Sequence, residues 1–369
     1  MQQRRLGKTG LDVGVIGLGS EYLLGTSRET MLAVVHGIID RGANYIDLLY
    51  SDADFVDEFA FALKRYRHRA LVAVHLDAEE EDGQPSEPSD MAPCERVFTE
   101  TLRRLGTDYA DVALVHMVDT EESLDTWGME MLELAGRYRR EGKVRFVGMS
   151  GHKAAVAAKA VKSGLIDVLM FPVNLAGDSV PGNAELFLLC AQQGVGLVAM
   201  KPYAGGQLLR KEGNVFLHWV QSGGESLKVE KSASMTPVQC LSYVLSQPGV
   251  STIVPGVKNL EEFEGALALL DASEEERDYS ALISGVYSFP PGTCQYCNHC
   301  LPCPSEIDIA AVMRLLDEAR NDLTAALRTA YGELSAKGSA CVECRECLER
   351  CPFDVNVVAR MKEAAALFE

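Results

Sequence analysis

Asp111–Met117 reads DVALVHM, a short apolar run ending in histidine, and it follows CERVFTETLRRLG over 94–106, whose spacing is that of an amphipathic helix. The same alternation recurs in both directions. Upstream stand VGVIGL from Val13, NYIDLL from Asn44 and ALVAVHL from Ala70; downstream stand VRFVGMS from Val144, DVLMFPVN from Asp167, VGLVAMKPY from Val195 and STIVPG from Ser251. Runs this short and this continuously apolar suit strands covered on both faces, which is the condition of a parallel sheet. Helical patterns such as RETMLAVVHGIIDRG (28–42) and TPVQCLSYVLSQPG (236–249) lie between them. Eight strands alternating with helices predict an α/β fold, and the count favours a closed (β/α)8 TIM barrel over an open doubly wound sheet. No G-x-G-x-x-G follows any of these strands, which counts against a dinucleotide-binding sheet.

In such a barrel the chemistry sits at the carboxyl ends of the strands. Those ends carry Ser20-Glu21, Asp47 through Asp52, His75, His116, Ser150-Gly151-His152, Asn174, Lys201-Pro202-Tyr203 and Pro255 through Asn259. Any one of them can be a solvated loop residue. Their joint placement on one rim points to a site.

The 369 residues suffice for one large domain and a small one, and a 47% apolar content supplies a core. A formal charge of -18 argues against partners that need a basic face, so neither nucleic acid nor anionic membrane is expected. The start, MQQRRLGKTGLDVGVIGLG, lacks a long apolar run before a small-residue cleavage site, and no stretch of about twenty apolar residues occurs. A cytoplasmic protein is expected.

Eight of the eleven cysteines fall in two series, CQYCNHCLPCP (294–304) and CVECRECLERCP (341–352). Each has three cysteines at intervals of three, then a fourth followed by proline. The pattern resembles the bacterial ferredoxin run, in which three thiolates hold one 4Fe-4S cluster and the fourth crosses to a second. Two such clusters are expected, with a pair of zinc sites as the alternative. Crossed ligation assigns Cys294, Cys297, Cys300 and Cys351 to one, and Cys341, Cys344, Cys347 and Cys303 to the other. Between the series, IDIAAVMRLLDEARNDLTAALRTAYGEL (307–334) predicts a helical insert. The lone Cys94, Cys190 and Cys240 read as small buried apolar residues. The expected organisation is a barrel over 1–272, a linker over 273–293 and a two-cluster ferredoxin-type domain over 294–369. The acidic loop DAEEEDGQPSEPSD (77–90) reads as a solvated loop, and His218 and Trp219 as packing residues.

RRLGKTGLDVGVIGLG (4–19), LRRLGTDYADVALVH (102–116), GKVRFVGMSGH (142–152), VAMKPYAGG (198–206) and STIVPGVKNLEE (251–262) together resemble the aldo-keto reductase superfamily across residues 4–270. With its cysteine-rich tail the whole chain is similar to the branch carrying a C-terminal ferredoxin-type domain. The resemblance implies carbonyl reduction by nicotinamide hydride and a tyrosine acid, the tyrosine tuned by a lysine paired to an aspartate, with a histidine positioning the carbonyl. It places the aspartate at Asp47 and the histidine at His116. The tyrosine position falls on Asp52 and the lysine position on His75, so the pattern breaks where the proton is handled. Tyr50 is then the expected donor, with His75 in the lysine's place beside Asp47, where a carboxylate raises its proton affinity.

The resemblance also sets Ser150 and Asn174 against a nicotinamide and adds Ser20 and Lys201 as cofactor-binding candidates. Met170 and Met200 stand where a glutamine and a stacking aromatic are usual. Lys258 and Asn259 are expected to meet a phosphate and an adenosine ribose. Glu262 stands where many NADP-dependent members place an arginine, so NADH is favoured over NADPH. The expectation is an oxidoreductase acting on a small carbonyl or hydroxy compound, with electrons from NAD(P)H, from 4Fe-4S clusters, or from both. A flavin would join two-electron to one-electron steps, and no sequence feature demonstrates one. Two other readings stand beside it: a nicotinamide-independent, cluster-dependent reductase or lyase, and an electron-transfer module docking on a partner oxidoreductase or a redox protein such as ferredoxin.

Overall fold

The structure is a computed structural model that describes the chain apart from residues 80–84, 87–90, 176, 178, 179, 181, 211–233, 280–291, 293, 295–299, 321, 322, 352 and 353. Cys297, His218, Trp219 and most of the acidic loop lie outside the described residues, as does most of the expected linker.

Eight strands form one parallel sheet in sequential order: β1 Leu18–Gly19, β2 Tyr45–Leu48, β3 Leu71–Leu76, β4 Ala110–Val115, β5 Val144–Ser150, β6 Val168–Pro172, β7 Gly196–Met200 and β8 Val250–Ile253. Parallel bridges from Ile16 to Ile253 and from Gly19 to Gly256 bring its two edges together. The seam is tight: a Cβ on Gly17 would stand 2.5 Å from the Tyr45 carbonyl oxygen, so only glycine allows the approach. Each strand is followed by a helix, α1 Arg28–Asp40, α2 Ala53–Leu63, α3 Met91–Leu105, α4 Met129–Arg140, α5 Ala154–Ser163, α6 Asn183–Gln193, α7 Pro237–Ser246 and α8 Leu260–Asp271. Tyr45, Ala73, Val112, Leu114, Val168 and Val198 belong to one packed cluster contributed by β2, β3, β4, β6 and β7. Burying such side chains contributes about 1.5–3 kcal/mol each for the larger ones. Cys94, Cys190 and Cys240 are buried as expected.

The first apolar run needs a correction. VGVIGL does not form one barrel strand: Asp12–Gly14 pairs antiparallel with Gln3–Arg5, Ile16 makes a single bridge to Ile253, and Leu18–Gly19 pairs with β2. The Gly14 amide donates to Asn44 Oδ1 at 2.8 Å, which ties the hairpin to the chain entering β2.

The chain separates into two compact units, Met1–Tyr203 with Met235–Ile283, and Ala204–Ser234 with Ser284–Glu369. The expected boundaries lie at 272 and 294, and the compact units divide the chain after 203, 234 and 283. Inside that unit Gln207 Nε2 donates to the Cys294 carbonyl at 3.0 Å, a contact across 87 positions that sequence reasoning has no means to foresee. The helical insert expected over 307–334 consists of two helices, α9 Ile309–Ala319 and α10 Ala325–Gly332. Thr324 Oγ1 accepts from Leu327 N–H and starts the second, a cap that competes with helix continuation. With α11, Val357–Phe368, these helices bury Val312, Met313, Leu316, Tyr331 and Met361. Among the described residues no helix is long and apolar enough to cross a membrane.

Candidate active site

Asp47 and His75 are neighbours because β2 and β3 pair in register, placing Asp47 opposite Ala73 and leaving His75 two residues nearer the carboxyl end. His75 Nε2 and Asp47 Oδ1 stand 2.8 Å apart in almost fully buried side chains. The same register between β3 and β4 sets His75 opposite Leu114, so His116 follows just beyond β4. The two imidazole rings lie 4.7 Å apart, tilted at 57°. Behind them Asp77 Oδ2 is 3.3 Å from His116 Nδ1. Burial holds the His116 imidazole below its ordinary value, against the opposing pull of Asp77, so it is neutral near pH 7. His75 Nδ1 is buried and has no hydrogen-bond partner among the described residues, an orphaned polar atom in the heart of the cluster.

Tyr50 is buried edge-on against Phe55, 6.0 Å between ring centres. Asp52, where the resemblance puts a tyrosine, is committed elsewhere: its Oδ1 accepts from Phe55 N–H at 2.8 Å and caps α2. Ser20 braces the same loop, accepting from Leu49 N–H at 3.3 Å while its own amide donates to the Asp47 carbonyl.

Across the mouth, Ser150 Oγ accepts from Met117 N–H at 2.9 Å, and Met117 takes a left-handed φ of 48°. Asn174 Oδ1 accepts from Gly177 N–H and its Nδ2 donates to the Lys201 carbonyl, both at 2.9 Å. Lys201, also left-handed at φ 54°, donates from Nζ to His152 Nε2 at 3.0 Å. His152 Nδ1 is 2.8 Å from Asp119 Oδ2, and its amide donates to the other oxygen of that carboxylate. Burial, joined by the Lys201 cation, lowers the His152 imidazole's proton affinity, with Asp119 opposing. Burial alone would raise the Asp119 carboxyl, yet His152 and Lys153 outweigh it and the net shift is downward. Glu21 is pushed up by burial and by Asp47, with Lys201 pulling it down. Lys201 therefore lies in the electrostatic reach of both Glu21 and His152.

At the last loop, Asn259 Oδ1 caps α8 by accepting from Glu262 N–H at 2.9 Å, and Glu262 Oε2 accepts from Lys258 N–H at 2.8 Å. The Lys258 side chain is exposed, its Nζ 5.8 Å from the centre of the Tyr22 ring. A carboxylate thus occupies the Lys258 amide.

In the second unit, Cys303, Cys341, Cys344 and Cys347 line one small cavity of about 10 Å³ with Ile307, Val357 and Met361. Burial, then the neighbouring Cys344, Cys341 and Cys303, push the Cys347 thiol up to about 11. Backbone in the left-handed region at Glu306, Glu343, Arg345 and Asp354, each within three residues of Cys303, Cys344 or Cys351, bends the chain around them. Cys294 and Cys300 are buried in the same core and Cys351 packs against it. Among the described residues no group of three or more His, Cys, Asp or Glu is arranged to hold a metal ion.

The structure thus brings Asp47, His75 and His116 together, and sets Lys201 in a second chain with His152 and Asp119. Sequence reasoning does not single out Asp77 or Asp119. Asp77 lies two residues after His75, on the same side of an extended chain, which is a usable signal; Asp119 is 33 positions from its partner, and nothing local announces the pair.

The aldo/keto reductase family profile matches residues 11–283. The chain is 28% identical over 298 residues to the uncharacterized oxidoreductase YqkF of Bacillus subtilis, covering 75% of this chain and 94% of that protein. It is 25% identical over 298 residues to L-galactose dehydrogenase of Arabidopsis thaliana, covering 74% and 89%. Aldo-keto reductase AKR11C1 from Bacillus halodurans superposes with a TM-score of 0.64 at 23% identity, covering 78% of this chain and 98% of that one. The match ends where the second unit's main segment begins, at Ser284. On this profile, spanning well over half of its length, the chain belongs to the aldo/keto reductase family of oxidoreductases.

Proposed function

We propose that the barrel interconverts a small carbonyl compound and its alcohol with NADH as the preferred partner. The observation that carries this reading is the buried Asp47–His75 pair, with the His116 ring tilted against it, at the strand ends where the family keeps its catalytic groups. When bound, a nicotinamide supplies or accepts the hydride. Ser150 and Asn174, both buried at adjacent strand ends, fit its carboxamide. Asn259, Lys258 and the amino end of α8 fit the adenosine half, and Glu262 at that end disfavours a 2′-phosphate through like charge. Tyr50 would give the proton that completes the alcohol. Asp47 would hold the His75 ring so that its orphaned Nδ1 faces the reacting groups, and neutral His116 would orient the substrate oxygen without adding a full charge.

For the second unit we infer two 4Fe-4S clusters. The spacing of the eight cysteines supports this, as does the grouping of Cys303, Cys341, Cys344 and Cys347 about one cavity, the set that crossed ligation requires. Two runs of cysteines at ferredoxin-like spacing, each with a fourth cysteine before proline, suit polynuclear iron-sulfur groups better than single zinc ions. Cys294, Cys300, Cys351 and Cys297, the last outside the described residues, would hold the other cluster, and the clusters would pass electrons singly, to or from a redox protein such as ferredoxin.

Anaerobic titration of cluster-loaded protein with NADH and then NADPH, following cofactor fluorescence and visible absorbance, tests both readings. Tight NADH binding is expected. Failure of both nicotinamides to bind would overturn the nicotinamide-linked reading and favour a cluster-only enzyme, and absent visible iron-sulfur absorbance would overturn the clusters.

A further inference from the structure

We infer that Lys201 is a further catalytic residue of this barrel, the cation that stabilises the developing alkoxide, with His152 and Asp119 as its positioning residues. The inference rests on the carbonyl-reductase reading above. It starts from a deficit: the strand-three position where the family keeps a lysine is His75, and burial keeps the adjoining His116 neutral, so that wall of the mouth carries no fixed cation from His116 or from a lysine. Lys201 brings one from the opposite wall, at the end of β7.

Three observations aim it. Lys201 holds a left-handed backbone, φ 54°, an uncommon state for a long side chain, and its carbonyl is clamped by Asn174 Nδ2 at 2.9 Å. Its ammonium donates to His152 Nε2 at 3.0 Å. Asp119 then fixes His152 from behind, taking both the Nδ1–H and the backbone N–H, which leaves Nε2 as the acceptor.

The charge falls in the right place. Lys201 and Asp47 both act electrostatically on Glu21, and His152 feels both Lys201 and His116. Lys201 follows the carboxyl end of β7, and Asp47, His75 and His116 stand at the carboxyl ends of β2, β3 and β4 of the same parallel sheet, so the ammonium belongs to the same mouth as that cluster. In the reduction, a C–H bond forms at the carbonyl carbon as the C=O π bond breaks and its electron pair moves onto oxygen. The substrate is reduced and the nicotinamide oxidised. Lys201 donates a hydrogen bond to that oxygen as it becomes negative, and the Tyr50 hydroxyl delivers the proton, to be replaced from water. A preorganised donor of this kind in a dry site is worth about 10²–10³ in rate.

The test uses cluster-loaded full chain, NADH and 4-nitrobenzaldehyde as the probe carbonyl. Lys201→Met should lower kcat about 10²–10³-fold while NADH affinity, read by fluorescence, stays within about twofold. Lys201→Arg, which restores the charge, should recover at least about tenfold of that loss, and His152→Gln should lower kcat about tenfold with KM little changed. Unchanged kcat in Lys201→Met overturns the inference and leaves the reductase reading standing. Loss of NADH binding in the same variant also overturns it and makes Lys201 a cofactor ligand. No turnover by the wild type with either nicotinamide overturns the reductase reading itself, and the role of Lys201 with it.

Discussion

Asp47 Oδ1 and His75 Nε2 meet at 2.8 Å inside the barrel, while the other nitrogen of the same ring has no hydrogen-bond partner among the described residues. One carboxylate therefore satisfies a ring that is otherwise dry. Asp47→Ala should destabilise the protein by about 1–3 kcal/mol, because it strands a buried N–H. Asp47→Asn keeps an acceptor in place and should cost less than about 1 kcal/mol, yet it should lower turnover sharply through loss of charge. Urea unfolding monitored beside steady-state rates checks the separation.

Stability should fall as the solution is made mildly acidic. His116 and His152 both have folded pKa values below the ordinary imidazole value of 6.5, chiefly through burial. Below that value the unfolded chain binds protons that the folded one refuses, so their contribution is complete above about pH 7.5 and is lost as pH falls through 6.5 toward the depressed values. Denaturation at about pH 7.5 and pH 5.5 should show the loss, and His152→Gln should flatten the slope. A slope left intact in both His116→Gln and His152→Gln would assign the effect to other groups.

Glu262→Arg should raise NADPH affinity by about tenfold at low ionic strength, as repulsion of the 2′-phosphate gives way to attraction. Fluorescence titration with both nicotinamides reads the ratio. Because Glu262 also accepts the Lys258 amide at 2.8 Å, Glu262→Gln serves as the control that retains the hydrogen bond without the charge.

Asp52→Tyr restores the family's residue type at that position and should not restore ordinary reductase chemistry. Asp52 caps α2, so its replacement should cost about 1 kcal/mol and loosen the loop that carries Tyr50. Thermal denaturation and turnover of Asp52→Tyr beside Asp52→Asn distinguish the cap from the chemistry.

Cys347→Ser should reduce the iron of anaerobically purified protein from about eight atoms per chain to about four, since one set of ligands is damaged and the other spared. Iron and sulfide assay reads this directly. Iron near two atoms or fewer in the wild type would overturn the two-cluster assignment.

The sequence determined what composition and local periodicity carry. Eight apolar runs at helical intervals fix a parallel barrel, because buried parallel strands need continuous apolar stretches and helical crossovers. The two cysteine series set the tail apart from the barrel pattern, because their spacing is local to the chain. Asp47, His75 and His116 were legible because barrel chemistry collects at strand ends. The tertiary structure alone decided what depends on register and on distant pairing: Asp52 spent as a helix cap, Gln207 bonded to Cys294, the two helices of the 307–334 insert, and the Asp119–His152–Lys201 chain. Each joins or separates groups by a hydrogen bond whose partner no local pattern identifies, and such bonds form only once packing has brought the strands and loops to their final places.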